Sequence, residues 1–212
     1  MYSYEVFEKL SDDRKDKIML ACMEVFAENG YEGASTNEIV KRADISKGIL
    51  FHYFGNKKNL YLYVLDRTLD RVIDKFNTAY SVATSDLFER IALSAMIKLK
   101  LSLEEPLVYK LIFVTFINTP KSIEDEIKQR YKRLYDIAIP MLLDGLDLSK
   151  VRSGIDPNKA IEVIVLFMEG FQAKYIEAYK NIPPEQALSL IDQLSEESKA
   201  YMDILKKGIY TQ

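Results

Sequence analysis

One short run constrains this chain more than any other: Asp44-Ile45-Ser46-Lys47-Gly48-Ile49-Leu50-Phe51-His52-Tyr53-Phe54, with Asn56-Lys57-Lys58 close behind it. Ser46 is a helix-capping residue, so the run predicts a short helix. A helix that short does not persist in water alone; neighbouring elements must hold it. At ~100° per residue, Leu50 and Phe54 fall on one side. Gly48, Ile49 and His52 fall on the other, with Lys47 near the start and Tyr53 on a flank. An outward glycine costs about 1 kcal/mol relative to alanine. The glycine is either a harmless surface residue or one that lets the helix backbone approach another surface closely, as a groove requires.

The residues upstream supply the support. Met1 to Leu10 carries Tyr2, Tyr4, Val6, Phe7 and Leu10, enough for a short packed arm or a helical turn. Ser11-Asp12-Asp13 opens a helix in which Ile18, Cys22, Val25 and Phe26 recur at helical spacing, and Asn29-Gly30 closes it. Ser35-Thr36-Asn37-Glu38 has the form of a capping box, a serine with a glutamate three residues on. It predicts a second short helix with Ile39, Val40 and Ala43 turned inward. Asp44-Ile45 is then a tight turn before Ser46, and two short helices so joined form a helix-turn-helix.

Asn56 caps a long fourth helix running to about Val82. Further helices follow over 86–103 and 107–117, and from Ser122 to about Gly145, where Pro140 predicts a kink. Asp156-Pro157 opens the eighth, Pro183-Pro184 separates it from the ninth, and the ninth ends near Gly208. No stretch reads as a strand. The fold class expected is all-α, about nine helices.

Whole-chain charge points to no particular partner: 29 Lys and Arg stand against 32 Asp and Glu, a net charge of -3. A DNA contact must therefore be local. Between Lys41 and Lys58 the cations Lys41, Arg42, Lys47, Lys57 and Lys58 face one acid, Asp44. Such an excess supplies salt-sensitive affinity for phosphates. Thr36, His52 and Tyr53 add donors that fix register on a backbone. Ile49 suits a thymine methyl and Asn37 an adenine edge.

Other chemistries have little material. His52 is the sole histidine, which argues against a histidine metal cluster, and the single Cys22 rules out an internal disulfide. Cys22 lies in an apolar helical pattern and reads as a buried structural thiol. No catalytic constellation, metal site or cofactor is expected. The polar, acidic N-terminus does not read as a signal peptide, and the longest apolar run, Val163 to Met168, is too short to span a bilayer. A cytoplasmic protein with no membrane partner is expected.

Residues Asp16 to Leu62 resemble the DNA-binding domain of the TetR-type (tetracycline repressor) family. The resemblance is carried by Ile18-x-x-x-Cys22-x-x-x-Phe26-x-x-x-Gly30-Tyr31, by Thr36-x-x-Ile39-x-x-x-Ala43, and by Ser46 to Phe54 with Asn56-Lys57. It covers roughly the first third of the chain, and the last piece is specific. It implies phosphate contacts at Thr36 and Lys57, groove-facing positions at Asn37, Lys47, Gly48 and Ile49, and an aromatic and histidine cluster at Phe51, His52 and Tyr53. Members often have tyrosine at the position of Phe51 and histidine at that of Tyr53. Phe51 lacks the hydroxyl, so packing is its expected role.

The resemblance also implies the rest of the layout: a helix-turn-helix DNA-binding domain over residues 1–56 and a helical effector-binding and dimerisation domain over residues 57–212. The expected partners are a double-stranded DNA operator, a largely apolar small-molecule effector and a second copy of the chain. The run from Ile161 to Phe171 is apolar almost all round, and such a helix must be covered on more than one side. Gly170, Leu190, Leu194 and Tyr201 are interface candidates. Met96, Phe113, Phe116, Phe167, Met168, Phe171 and Tyr175 are candidates for the effector pocket, although aromatic and methionine residues at helical spacing usually form plain core. Glu169 is expected at the surface or interface first and near a ligand second. The function expected is a homodimeric repressor released by its effector. A ligand-responsive activator, or a helical adaptor or carrier that does not act on DNA, remains open.

Overall fold

Few glycines and prolines interrupt this chain, and long helices result. The structure is a computed structural model and describes residues 4–80, 84–179 and 187–211. Among them lie ten α-helices: α1 (Glu5–Glu8), α2 (Asp12–Gly33), α3 (Thr36–Ala43), α4 (Lys47–Phe54), α5 (Lys57–Tyr80), α6 (Leu87–Glu104), α7 (Pro106–Ile117), α8 (Glu124–Leu143), α9 (Pro157–Tyr179) and α10 (Ala187–Ile209). A 3-10 turn, Lys121–Ile123, precedes α8. The helix beyond the expected nine is α1, the single turn made by the N-terminal arm. No strand occurs among the described residues; one isolated bridge joins Val151 to Tyr210.

The chain divides into two compact units, Met1–Lys75 with Lys100–Ile137, and Phe76–Leu99 with Ala138–Gln212. The division does not fall at residue 56. The front half of α5 belongs to the first core, where Leu60, Tyr61, Val64, Leu65 and Leu69 are buried with Phe26 and Ile39. Tyr61 and Thr115 of α7 share a buried hydrogen bond of 2.7 Å, and Arg130 of α8 pairs with Asp66 of α5 at 2.6 Å. A head cut at residue 56 would expose those apolar residues.

In the second unit Leu87, Phe88, Ile91, Leu142, Ala160, Ile164, Ile209 and Tyr210 form the core. Arg90 is buried there, and its guanidinium donates to the carbonyls of Thr84 at 2.6 Å, Leu142 at 3.1 Å and Asp144. It thus satisfies carbonyls at the end of α8 that have no helical partner. No helix among the described residues is long and apolar enough to cross a membrane.

Candidate nucleic-acid interface

The expected helix-turn-helix is formed by α3 and α4 against α2. Ser46 begins α4, its side chain accepting the Ile49 N–H at 3.2 Å. Asn56 caps α5 in the same way, accepting the Asn59 N–H at 2.9 Å. Asp44 makes the turn in the left-handed region, at φ 56° and ψ 49°. That conformation costs a non-glycine residue energy, least so for Asp and Asn. Gly30, at φ 64°, interrupts the end of α2 where the sequence placed its stop.

The two sides of α4 separate as the spacing predicts. Leu50 and Phe54 are fully buried, while Lys47, Gly48, Ile49 and His52 are exposed, Ile49 at 37 %. Asn37 is exposed and Thr36 half-buried at the start of α3, and Lys57 is half-buried at the start of α5. Among the described residues, an added side chain at Gly48 would meet nothing nearer than Ser46 Oγ at 3.8 Å. The glycine therefore answers no packing need inside the protein.

Tyr53 lies deeper than a flank position. It is 8 % exposed, with its ring 5.7 Å from that of Phe7 in an edge-on contact. Phe51 is half-buried, with Lys47 Nζ 5.9 Å from its ring centre.

The cationic patch is smaller than the sequence suggests. Arg42 points to acids, not outward: it pairs with Glu28 at 2.8 Å, Glu38 at 3.0 Å and Glu24 at 3.4 Å. The capping box at Ser35 is consequently not made; the Ser35 side chain caps nothing, and Glu38 turns to Arg42 one helical turn on. Lys58 pairs with Glu126 at 2.8 Å, and that hydrogen bond raises its pKa. The Lys57 ammonium donates to the Glu32 carbonyl at 3.1 Å and sits 5.1 Å from the Tyr31 ring centre. Asp44, the patch's one acid, pairs with Lys17 at 3.2 Å. Lys41 and Lys47 have no acidic partner among the described residues. Their charge, with that of Lys57, remains for an external anion.

The regulatory candidates fall in both units. Phe113 stacks on Tyr109 at 5.9 Å, and Phe116 meets Tyr131 edge-on at 5.5 Å, both within the first unit. Phe167, Met168 and Phe171 belong to the second unit, as does Met96, which is 66 % exposed. Tyr201, expected at an interface, packs on Phe167 at 5.4 Å and Phe171 at 6.1 Å. Gly170 is exposed. The side chains of Glu169, Tyr175, Leu190 and Leu194 lie outside the described residues. An open hollow of about 420 Å³ is lined instead by Tyr4, Glu5, Glu8, Lys9, Tyr63 and Arg67.

Cys22 is fully buried, and burial pushes its thiol up to about 12, so it is inert at neutral pH. No group of metal-binding side chains occurs among the described residues.

Residues 18–64 match the model of "Bacterial regulatory proteins, tetR family". The chain is 27% identical over 154 residues to the HTH-type transcriptional activator FasR of Mycolicibacterium smegmatis, covering 73% of this chain and 67% of FasR. It is 25% identical over 190 residues to IcaR of Staphylococcus epidermidis, the HTH-type negative transcriptional regulator of the biofilm operon icaADBC, covering 84% of this chain and 97% of IcaR. Its fold is that of a TetR family transcriptional regulator from Chloroflexus aurantiacus, with a TM-score of 0.55 at 20% identity over 98% of each chain.

Proposed function

We propose, from the premise that this chain belongs to the tetR family of bacterial regulatory proteins through residues 18–64, that it is a homodimeric repressor. Its two α4 helices read a palindromic operator, and a small, largely apolar effector releases it. The observation that carries the DNA reading is the division of α4: a fully buried side at Leu50 and Phe54 behind an exposed row of Lys47, Gly48, Ile49 and His52. The buried side holds the helix, and the exposed row meets the major groove.

Uncovered apolar surface supports the dimer. Val163 and Leu166 on α9 are 48% and 58% exposed, and Ile204 on α10 is 66% exposed. A two-fold partner laid against α9 and α10 would cover them. Release then follows from linkage: an effector that prefers a dimer with another α4 spacing lowers operator affinity by its preference for that state. The protein acts in the cytoplasm as a regulator and not as an enzyme. A ligand-responsive activator is the second reading, favoured because FasR is named an activator.

Fluorescence anisotropy on duplexes from the region upstream of its own gene tests the proposal. Selective binding that weakens steeply with salt is expected, at a stoichiometry of one dimer per site. Equal binding to all duplexes at every salt concentration would refute it. A reporter assay of the same region in cells with and without the protein separates repression from activation.

A further inference from the structure

The N-terminal arm is packed onto the recognition helix. Phe7 of α1 is 1% exposed, and its ring lies 4.8 Å from Phe54, 5.7 Å from Tyr53 and 5.4 Å from Tyr63. Tyr4 stands 4.5 Å from the Tyr63 ring and 6.1 Å from Phe54, and its hydroxyl donates to the Asn59 carbonyl at 3.3 Å. Glu8 fastens the other end. It accepts from the Tyr63 hydroxyl at 2.6 Å and pairs with Arg67, whose Nε donates to the same Tyr63 oxygen at 3.2 Å. Two aromatic rings of the arm thus pack against α4 and α5, and the Glu8–Tyr63–Arg67 latch ties the arm to α5 beside them.

A two-turn helix has no stiffness of its own against rolling about its axis. Its roll is set by what packs behind it: Leu50 and Phe54 from the core side, and Tyr53 from the arm side. Without Phe7 the edge of Tyr53 and one flank of Phe54 lose their packing, and a range of rolls becomes accessible. Backbone phosphates tolerate such a range, but base edges do not. We infer that the arm, Tyr4 to Glu8, is a positioning element for base reading, with Phe7 fixing the roll of α4 and the Glu8–Tyr63–Arg67 latch holding Phe7 in place. This rests on α4 reading DNA.

The test compares full-length wild type and Phe7→Ala on two duplexes of equal length, one selected from a random pool by the wild type and one scrambled. Loss of one well-placed base contact implies that selected-over-scrambled affinity falls about tenfold in Phe7→Ala. Affinity for the scrambled duplex should stay within about twofold, since no phosphate-binding charge is touched. Leu111→Ala, a core truncation on α7, is the control for general loosening and should keep the wild-type ratio. Should Phe7→Ala not fold, the Glu8→Ala/Arg67→Ala pair removes the half-exposed latch, and an intermediate loss of selectivity is expected. An unchanged ratio in the folded arm variant, or the same loss in Leu111→Ala, overturns the inference. Absence of selective binding by the wild type overturns it as well, but there the failure is of DNA reading itself and shows before any variant is made.

Discussion

Arg42 holds Glu28 with both prongs of its guanidinium, Nη1 to Oε1 at 2.9 Å and Nη2 to Oε2 at 2.8 Å. Fork-to-fork geometry fixes direction as well as distance, so the pair ties the end of α3 to the end of α2. Glu38 takes the remaining Nε–H, and Glu24 lies at 3.4 Å from Nη1. Hydrogen bonding from Arg42 holds the Glu28 carboxyl below its ordinary pKa. A residue so engaged is a strut inside the DNA-binding head, and its charge is cancelled before any phosphate arrives.

Salt dependence separates struts from phosphate ligands. Each neutralised phosphate contributes about 0.9 to the slope of log affinity against log salt. Lys47→Gln should therefore reduce the slope by about one. Lys57→Ala should do the same, since its carbonyl and ring contacts leave other ammonium protons for phosphate. Arg42→Gln should leave the slope unchanged and lower the thermal midpoint slightly, these groups being half-buried and still reached by solvent. Anisotropy titrations at several salt concentrations check this. A reduced slope in Arg42→Gln would mean the guanidinium leaves its acids for DNA.

Asp44 offers a change in the other direction. It is the one non-glycine residue among those described with positive φ, and it carries a negative charge at the turn leading into α4. Asp44→Gly removes the strain, and the Lys17 pair lost with it is exposed and worth little. Net stabilisation of up to about 1 kcal/mol is expected, reduced by the greater freedom of glycine in the unfolded chain. Operator affinity should rise, more at low salt than at high, as one repulsive charge leaves the DNA-facing end. Urea unfolding and anisotropy read the two effects. A lower unfolding midpoint would show that the Lys17–Asp44 pair outweighs the strain.

What the residues disclosed in advance was local. The Ser46 and Asn56 caps, the burial of Leu50 and Phe54 and the exposure of Gly48, Ile49 and His52 all depend on neighbours within one or two turns. Glu38 was misread because its competitor, Arg42, is itself oriented by Glu24 and Glu28, 18 and 14 residues back on another helix. The compact units do not divide at residue 56 for a similar reason: Tyr61 meets Thr115 across 54 residues, and no periodicity reports that contact. Phe7 was visible as part of a packed arm, but its seat behind Tyr53 was not. Phe113 and Phe167 are both aromatics in helical patterns, and only the fold assigns them to different units.

Acid should loosen the first unit in part through two carboxylates, Glu8 and Glu105. Burial pushes the Glu8 carboxyl up, but the Tyr63 hydrogen bond and the Arg67 guanidinium outweigh it and hold the pKa below 4.5. Burial likewise opposes Lys75 and Arg71 at Glu105, and again the cations win. Both groups are more acidic folded than unfolded. Their contribution is thus complete above the ordinary carboxylate value and is lost as pH falls through the folded one. Thermal midpoints should be level from neutrality to about pH 5 and then decline. The decline should be shallower in Glu105→Gln, which starts from a lower plateau. Parallel declines in variant and wild type would remove Glu105 from the acid response.

Gly48 supplies the sharpest test of the DNA-facing side, because folding and binding make opposite demands on it. Within the chain a methyl at this position has room, its nearest neighbour being Ser46 Oγ at 3.8 Å, and the backbone is helical. Gly48→Ala should therefore stabilise the protein by about 0.5 to 1 kcal/mol, the difference in helix propensity between the two residues. The same methyl, pointing outward beside Ile49, stands between the α4 backbone and whatever that backbone approaches. If α4 enters a groove at this turn, operator affinity should fall by about tenfold or more, the loss expected when one close contact can no longer form. Thermal unfolding and anisotropy on one preparation read both quantities. A rise in midpoint together with a fall in affinity is explained by neither misfolding nor a passive surface glycine. A rise in midpoint with unchanged affinity would place the DNA on some other face of the helix.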